Sequence, residues 1–225
     1  MPKGGGIRRI TTLMKIAVIG ASGKAGALIA QEALDRGMEV TAIVRDKKKV
    51  DMDKYAVLEK DIFSIAPEDV EGYDAVVCAY GVPADKAPLI QDAFRHLINV
   101  FEQVPEVRLL FIGGAASLYT DFEKTRQLME TIPPEWAPVP YNTLLAFNEI
   151  QKSKANWTFF SPAGFFDAAG PRTGKYTLGT DYVILNKSGD SYLSYADYAI
   201  AMVDEIVNKR FLGKRFTAVS EKAAP

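Results

Sequence analysis

The sequence predicts an α/β protein: a doubly wound parallel sheet with helices on both faces and a small capping region. Three observations carry this. Short apolar runs rich in β-branched residues alternate with stretches of helical periodicity. Strands separated by helical patterns imply β-α-β units with right-handed crossovers. The first, fifth and sixth strand-like runs end in Gly20, Gly113-Gly114 and Ser161-Pro162, turns that reopen the chain at one edge of the sheet.

In chain order, residues 14–19 read as the first strand, and residues 27–36 as a helix with Leu28, Ile29, Ala33 and Leu34 as its apolar stripe. Gly37 is a natural stop. Residues 39–44 form a second strand and 57–59 a short third; 75–79 form a fourth, preceded by the turn-like Gly72-Tyr73-Asp74. The spacing of Ile90, Phe94, Leu97, Ile98 and Phe101 predicts a helix over 89–101. Strands follow at 108–112, 157–160 and 182–185, then a helix at 197–208 and a last strand at 216–219. Pro133-Pro134 and Pro138-Val139-Pro140 read as a stiff loop. The stretches 117–156 and 163–189 are expected to cap the sheet's C-terminal edge, where ligands of open α/β sheets bind. No internal repeat or low-complexity linker divides residues 14–225, so they read as one domain. Residues 1–13, with Gly4-Gly5-Gly6 and Arg8-Arg9, read as a flexible extension.

Composition bounds the partners. The chain has 225 residues, 48% hydrophobic and 24% charged, enough for a well-buried core. Its 27 basic and 28 acidic residues leave a net charge of −1, so no overall field favours nucleic acid or an anionic membrane. No apolar run is long enough to span a bilayer, and residues 1–13 lack the apolar core of a signal peptide. Cys78, the only cysteine, sits in an apolar run; this reads as a buried structural thiol in a reducing, cytoplasmic setting. One histidine and one cysteine far apart provide no metal-ligand cluster.

The most informative stretch is Gly20-Ala21-Ser22-Gly23-Lys24-Ala25-Gly26, between the first strand and its helix. Glycines let bare backbone approach a diphosphate, and the helix start aims unpaired N–H groups and its positive dipole end at the anion. This order suits a dinucleotide; the alternative is a structural turn without a ligand. Lys24 either adds charge near the phosphates or points to water. Ser22 either donates to phosphate or caps the helix. At the end of the second strand, an acidic residue would bond a ribose 2′-hydroxyl, whereas Arg45 can grip a 2′-phosphate with paired donors. The expected cofactor is therefore NADP(H), with NAD(H) kept open by Asp46, one residue on. Lys47, Lys48 and Lys49 read as a solvated turn.

These strings, with Val44-Arg45-Asp46, Lys60-Asp61-Ile62, Ala79-Tyr80-Gly81, Gly113-Gly114-Ala115-Ala116-Ser117-Leu118, Ser161-Pro162-Ala163-Gly164 and Ser194-Tyr195-Ala196-Asp197-Tyr198-Ala199, give a resemblance that covers almost everything from Met14 onward. The chain resembles the atypical short-chain dehydrogenase/reductases. It is most similar to their NAD(P)H-binding branch, which includes nitrogen-repression-regulator-like and flavin/biliverdin reductase-like proteins. The resemblance implies a Rossmann-type fold. It places Asp61 and Ile62 beside the adenine, although Asp61 also reads as a plain turn residue. It places Ala79, Tyr80 and Gly81 beside the nicotinamide ribose, and adds Gly113, Ser161, Pro162 and Gly164 to the cofactor site.

The resemblance breaks at catalysis. The best-known members of the superfamily carry Tyr-x-x-x-Lys on one helix, so that an ammonium lowers the phenol's pKa for proton transfer. Here Tyr141 is followed four residues on by Leu145 and Tyr119 by Glu123, and no tyrosine has a lysine at that spacing. Candidate catalytic groups are Ser117, where the family's serine would fall, and Tyr141, as a donor at the pocket mouth. Their alternatives are a loop hydroxyl and a partly buried aromatic. Glu149 and Lys152 read as a surface pair on one helix, and His96 as solvent-facing or supporting. Phe165, Phe166 and Asp167 fall where the family lines its substrate pocket; two adjacent aromatics could wall a planar acceptor, or one could be core.

The expected function is an oxidoreductase passing hydride from NADPH to a small planar or carbonyl acceptor such as a flavin or quinone. A non-catalytic NADP(H)-binding sensor is the alternative, and a sugar-nucleotide epimerase a weaker third reading. A small-molecule substrate and a monomer or small homo-oligomer are expected.

Overall fold

A computed structural model describes residues 13–222, so the expected extension at 1–13 falls, apart from Leu13, outside the described residues. The strands are β1 (Lys15–Ile19), β2 (Glu39–Val44), β3 (Ala56–Glu59), β4 (Ala75–Cys78), β5 (Arg108–Ile112), β6 (Trp157–Ser161), β7 (Phe165–Asp167), β8 (Tyr176–Gly179), β9 (Tyr192–Ser194) and β10 (Lys214–Ser220). The α-helices are α1 (Lys24–Asp35), α2 (Pro67–Val70), α3 (Leu89–Phe101), α4 (Pro138–Ile150) and α5 (Tyr195–Asn208).

Eight strands make one sheet in the order β3-β2-β1-β4-β5-β6-β10-β8. Every neighbouring pair is parallel except β10 with β8. Strand β1 pairs β2 through Ile16↔Val40 and β4 through Ile16↔Ala75. The winding direction reverses between β1 and β4, which opens a crevice at their C-terminal ends. The Rossmann-type α/β class expected from the sequence is the observed one.

The core has two halves because strand side chains alternate between faces. Ile16 and Val18 pack with Ile29 and Ala33 of α1 and Tyr198, Met202 and Ile206 of α5. Ala17 and Ile19 face the other way, toward Phe94 and Leu97 of α3 and Phe147 and Ile150 of α4. Burial on both faces explains why these strands read as continuous apolar runs without alternation.

Several boundaries differ from expectation, each for a local reason. Helix α1 begins one turn early, at Lys24, because the glycine turn closes within three residues. Pro138-Val139-Pro140 is not a loop but the first turn of α4, where proline's missing N–H is not needed. Residues 182–185 are not a strand: Tyr182 makes only an isolated bridge to Tyr119. Both ladder edges of β10 are already filled, by β6 and β8. The short parallel pair β7–β9 has no sequence signal beyond its aromatics. Glu149 does not pair with Lys152, which lies beyond α4; it accepts two bonds from Arg95, at 3.0 and 2.7 Å.

Gly113 ends β5 where a Cβ would lie 2.2 Å from the Phe159 ring. That ring is fully buried and packs 4.5 Å from Phe147, so it has nowhere to go. Gly113→Ala is expected to cost about 1–3 kcal/mol through overpacking, read as a lower urea midpoint with an unchanged slope.

Candidate coenzyme site

Strand β1 delivers the chain to Gly20 in the left-handed region, φ +79°. A Cβ there would sit 2.7 Å from the Ala79 carbonyl oxygen, so the turn crosses directly against the end of β4. The Gly20 amide donates to Ile43 O and the Gly23 amide to Gly20 O, both at 2.9 Å. Gly26, the third residue of α1, would place a Cβ 2.4 Å from Gly20 O, which is why helix and turn can touch.

Gly23 differs from both. It is exposed, its φ and ψ (−83° and 164°) suit any residue, and its added Cβ would meet only Gly20 O, at 3.2 Å. It caps α1 without a side-chain hydrogen bond, so Ser22 does not cap the helix. The first helical bond is Ala27 N to Gly23 O, which leaves the amides of Lys24, Ala25 and Gly26 without a partner inside the helix. No acidic residue lies in that turn. A bare, exposed glycine and an uncapped helix start together fit a diphosphate.

A cleft of about 250 Å³ runs from this turn across the ends of β2, β3 and β4. Ile19, Gly20, Ser22 and Gly23 form one end. Val44, Arg45, Lys49, Lys60 and Ile62 line the part over β2 and β3, and Ala79, Tyr80 and Gly81 the part beyond β4. Three cations face the cleft and no carboxylate lines it. The neighbouring acids each accept at least one hydrogen bond. Asp46 accepts from Lys48 N at 3.0 Å, Glu59 from Lys47 N at 3.0 Å, and Asp61 from Phe63 N at 3.0 Å. Asp69 accepts from Lys60 Nζ at 2.5 Å and Ala66 N at 2.7 Å. Burial alone would raise the Asp69 carboxyl, but these donors outweigh it and hold the group below the usual carboxylate range.

Burial pushes the Tyr80 phenol up, with the Arg45 guanidinium acting against it, so Tyr80 stays a neutral donor at neutral pH. Phe63 meets its ring edge-on, centroids 6.4 Å apart. The His96 ring lies 6.3 Å from that of Phe63, with Nε2 2.8 Å from Ile65 O. Cys78, the residue before Ala79, is fully buried, and desolvation pushes its thiol up to about 12.

Not every residue singled out in the sequence reaches the cleft. Ala21 turns into the core on the α1/α5 face, and Lys24, Ala25 and Gly26, in the first turn of α1, do not line the cleft but present their free backbone amides next to Gly23, which does. Asp61, Gly113, Ser161, Pro162 and Gly164 are outside the lining. Ser161 Oγ and its register neighbour Thr217 Oγ1 are buried without a partner among the described residues. Ser117 is buried; its Oγ accepts from Arg215 Nη1 at 2.9 Å, and the same nitrogen donates to Ser117 O at 2.6 Å. Arg215 is in turn held by Asp181, which Lys124 also bonds at 2.9 Å. Tyr141 is half-exposed on the first turn of α4. Phe165 is exposed, while Phe166 packs 3.9 Å from Tyr195. The lining residues that sequence reasoning did not assign to the site are Ile19, Val44, Lys49 and Lys60. Lys60 directly follows the third strand, but nothing in the local sequence places it next to Arg45.

Among the described residues there is no cluster of His, Cys, Asp or Glu able to hold a metal ion, and no helix long and apolar enough to cross a membrane.

Comparison with known proteins agrees with this geometry. Residues 20–209 match the family model described as NAD(P)H-binding. The uncharacterised YwnB protein of Bacillus subtilis strain 168 is 49% identical over 211 residues, 92% of this chain and 99% of that one. The crystal structure of SP1627 from Streptococcus pneumoniae, provisionally named an NADH-flavin reductase, has a TM-score of 0.87 at 37% identity. The match covers 92% of this chain and all of that one. A protein of Bacteroides thetaiotaomicron, provisionally named an epimerase, has a TM-score of 0.83 at 32% identity, over 95% of this chain and 100% of its own.

Proposed function

Because this chain belongs to the NAD(P)H-binding family, we propose that it is a single-domain oxidoreductase that takes NADPH in preference to NADH and reduces a small planar acceptor of flavin or quinone type. The observation that carries the reading is the charge of the cleft wall: Arg45, Lys49 and Lys60 are among its lining residues and no acidic residue is, while Asp46, Glu59, Asp61 and Asp69 each accept from another donor. Asp46, the residue that would favour NADH, is outside the lining, and its Oδ1 accepts from Lys48 N. The provisional flavin-reductase name of the Streptococcus pneumoniae protein supports the acceptor class.

In this reading the amides of Lys24, Ala25 and Gly26 and the open face of Gly23 hold the diphosphate. The Arg45 guanidinium meets the 2′-phosphate with paired donors. Bound reduced nicotinamide supplies the hydride. Tyr80, protonated at neutral pH, donates a hydrogen bond at the cleft beyond β4. Ser117 is occupied by Arg215, so a proton for the acceptor comes from solvent or from Tyr141. A flavin or quinone demands less of a protein acid than a ketone does. A cytoplasmic, reducing setting is part of this proposal.

The missing Tyr-x-x-x-Lys pair and the sequestered Ser117 favour a second reading, a sensor that binds NADP(H) without turnover. Fluorescence titration with NADPH and NADH, followed by absorbance loss with quinones, flavins and aldehydes, separates the two. Turnover with a quinone or flavin is expected; tight binding without turnover on any acceptor would leave the sensor. Arg45→Asp is expected to weaken NADPH at least tenfold more than NADH, about 1.4 kcal/mol of selective loss. Equal loss for both would remove the 2′-phosphate role.

A further inference from the structure

We infer that Lys60 is a second specificity-determining residue of the cleft, a pre-positioned cation that meets a 2′-phosphate together with Arg45. The inference rests on the proposal that the cleft takes a dinucleotide.

The Lys60 amide donates to Val44 O at 2.8 Å, extending the β2–β3 ladder by one step. That bond pins the Lys60 backbone beside the strand end that carries Arg45. Arg45 and Lys60 are both among the residues that line the cleft. Lys60 is part-buried, and its ammonium is anchored by the Asp69 carboxylate, itself fixed by the Ala66 amide. A lysine side chain otherwise gives up considerable rotamer freedom when it grips a ligand. Here Asp69 has already ordered it. An ammonium has three donors, and Asp69 takes one, so two remain for phosphate oxygens. Arg45 and Lys49 have no ion-pair partner among the described residues and no acidic residue lines the cleft, so the lining itself carries a positive excess, with the Asp46 and Asp61 carboxylates just outside it. An unphosphorylated ribose would leave that excess unmatched, whereas a phosphate dianion would match it.

The test uses the full chain and two adenylates that lack nicotinamide, so it needs no turnover. Calorimetric titration with 2′,5′-ADP and 5′-AMP is run on the wild type, Lys60→Gln and Lys60→Arg. Lys60→Gln is expected to lose about tenfold in affinity for 2′,5′-ADP and less than twofold for 5′-AMP. Lys60→Arg, which keeps the charge and can still bond Asp69, is expected to keep most of the preference. A wild type that discriminates between the adenylates, with Lys60→Gln unchanged or weakened equally for both, would overturn the inference and leave Lys60 as a structural bridge to Asp69. The NADPH preference would stand in that case. A wild type that binds the two adenylates equally would overturn the preference and the inference together.

Discussion

Replacing Gly23 by valine is expected to lower affinity for NADPH and NADH at least a hundredfold, about 2.7 kcal/mol, while moving the thermal midpoint by no more than a few degrees. The backbone already sits where a β-branched residue is comfortable, and the position is exposed. The fold loses only a good helix-capping residue and tolerates a tight 3.2 Å approach to Gly20 O, together about 1 kcal/mol, worth 2–4 °C in a chain of this size. The ligand loses much more, because the isopropyl group fills the space over the turn into which a diphosphate would settle. Fluorescence titration alongside a circular-dichroism melt checks both halves. Retained binding would show that the turn does not cradle phosphate. A collapse of the melting transition would show that Gly23 serves the fold.

Arg108→Met should produce the largest loss of stability, about 3–5 kcal/mol, read by urea unfolding. Arg108 is buried at the start of β5 and bonds the Glu205 carboxylate, the Glu205 carbonyl at 2.8 Å and Thr158 Oγ1 at 2.6 Å. Burial drives its guanidinium down, and Glu205 opposes that. Glu205 also accepts from the amides of Arg210 and Phe211, so one carboxylate fixes the turn that leads into β10. Methionine fills the volume but strands a carboxylate in the dry interior with only those two amides. Adding Glu205→Gln to Arg108→Met should recover part of the loss by removing the stranded charge, and the two changes should not be additive. A loss below about 1 kcal/mol for Arg108→Met would mean that water reaches Glu205 after the change.

The sheet was legible because it obeys two short-range rules: strands buried on both faces are apolar throughout, and helices bury a stripe. Residues 39–44, 89–101 and 108–112 match the observed elements to the residue. Residues 182–185 have the composition of a strand, but a ladder depends on a partner, and the partner's other edge is invisible in local sequence. The glycine turn was legible from its spacing between strand and helix. Gly26 is demanded by the Gly20 carbonyl six residues back and Gly20 by the Ala79 carbonyl at the end of the neighbouring strand, whereas Gly23 meets only one tight neighbour, Gly20 O. Lys60 escaped notice because its importance comes from β2 lying next to β3, a tertiary fact. The burial of Ser117 was hidden as well, since Arg215, its partner, lies 98 positions away in the chain.

Cys78 also makes the molecule its own stopwatch. The thiol ends the strand beside β1 and has no solvent path, and it can ionise readily only after leaving the interior. Alkylation by an external reagent therefore counts the occasions on which the middle of the sheet comes apart, with no other cysteine to blur the signal. Any ligand that clasps the neighbouring loops ought to slow that clock, whatever chemistry it undergoes there.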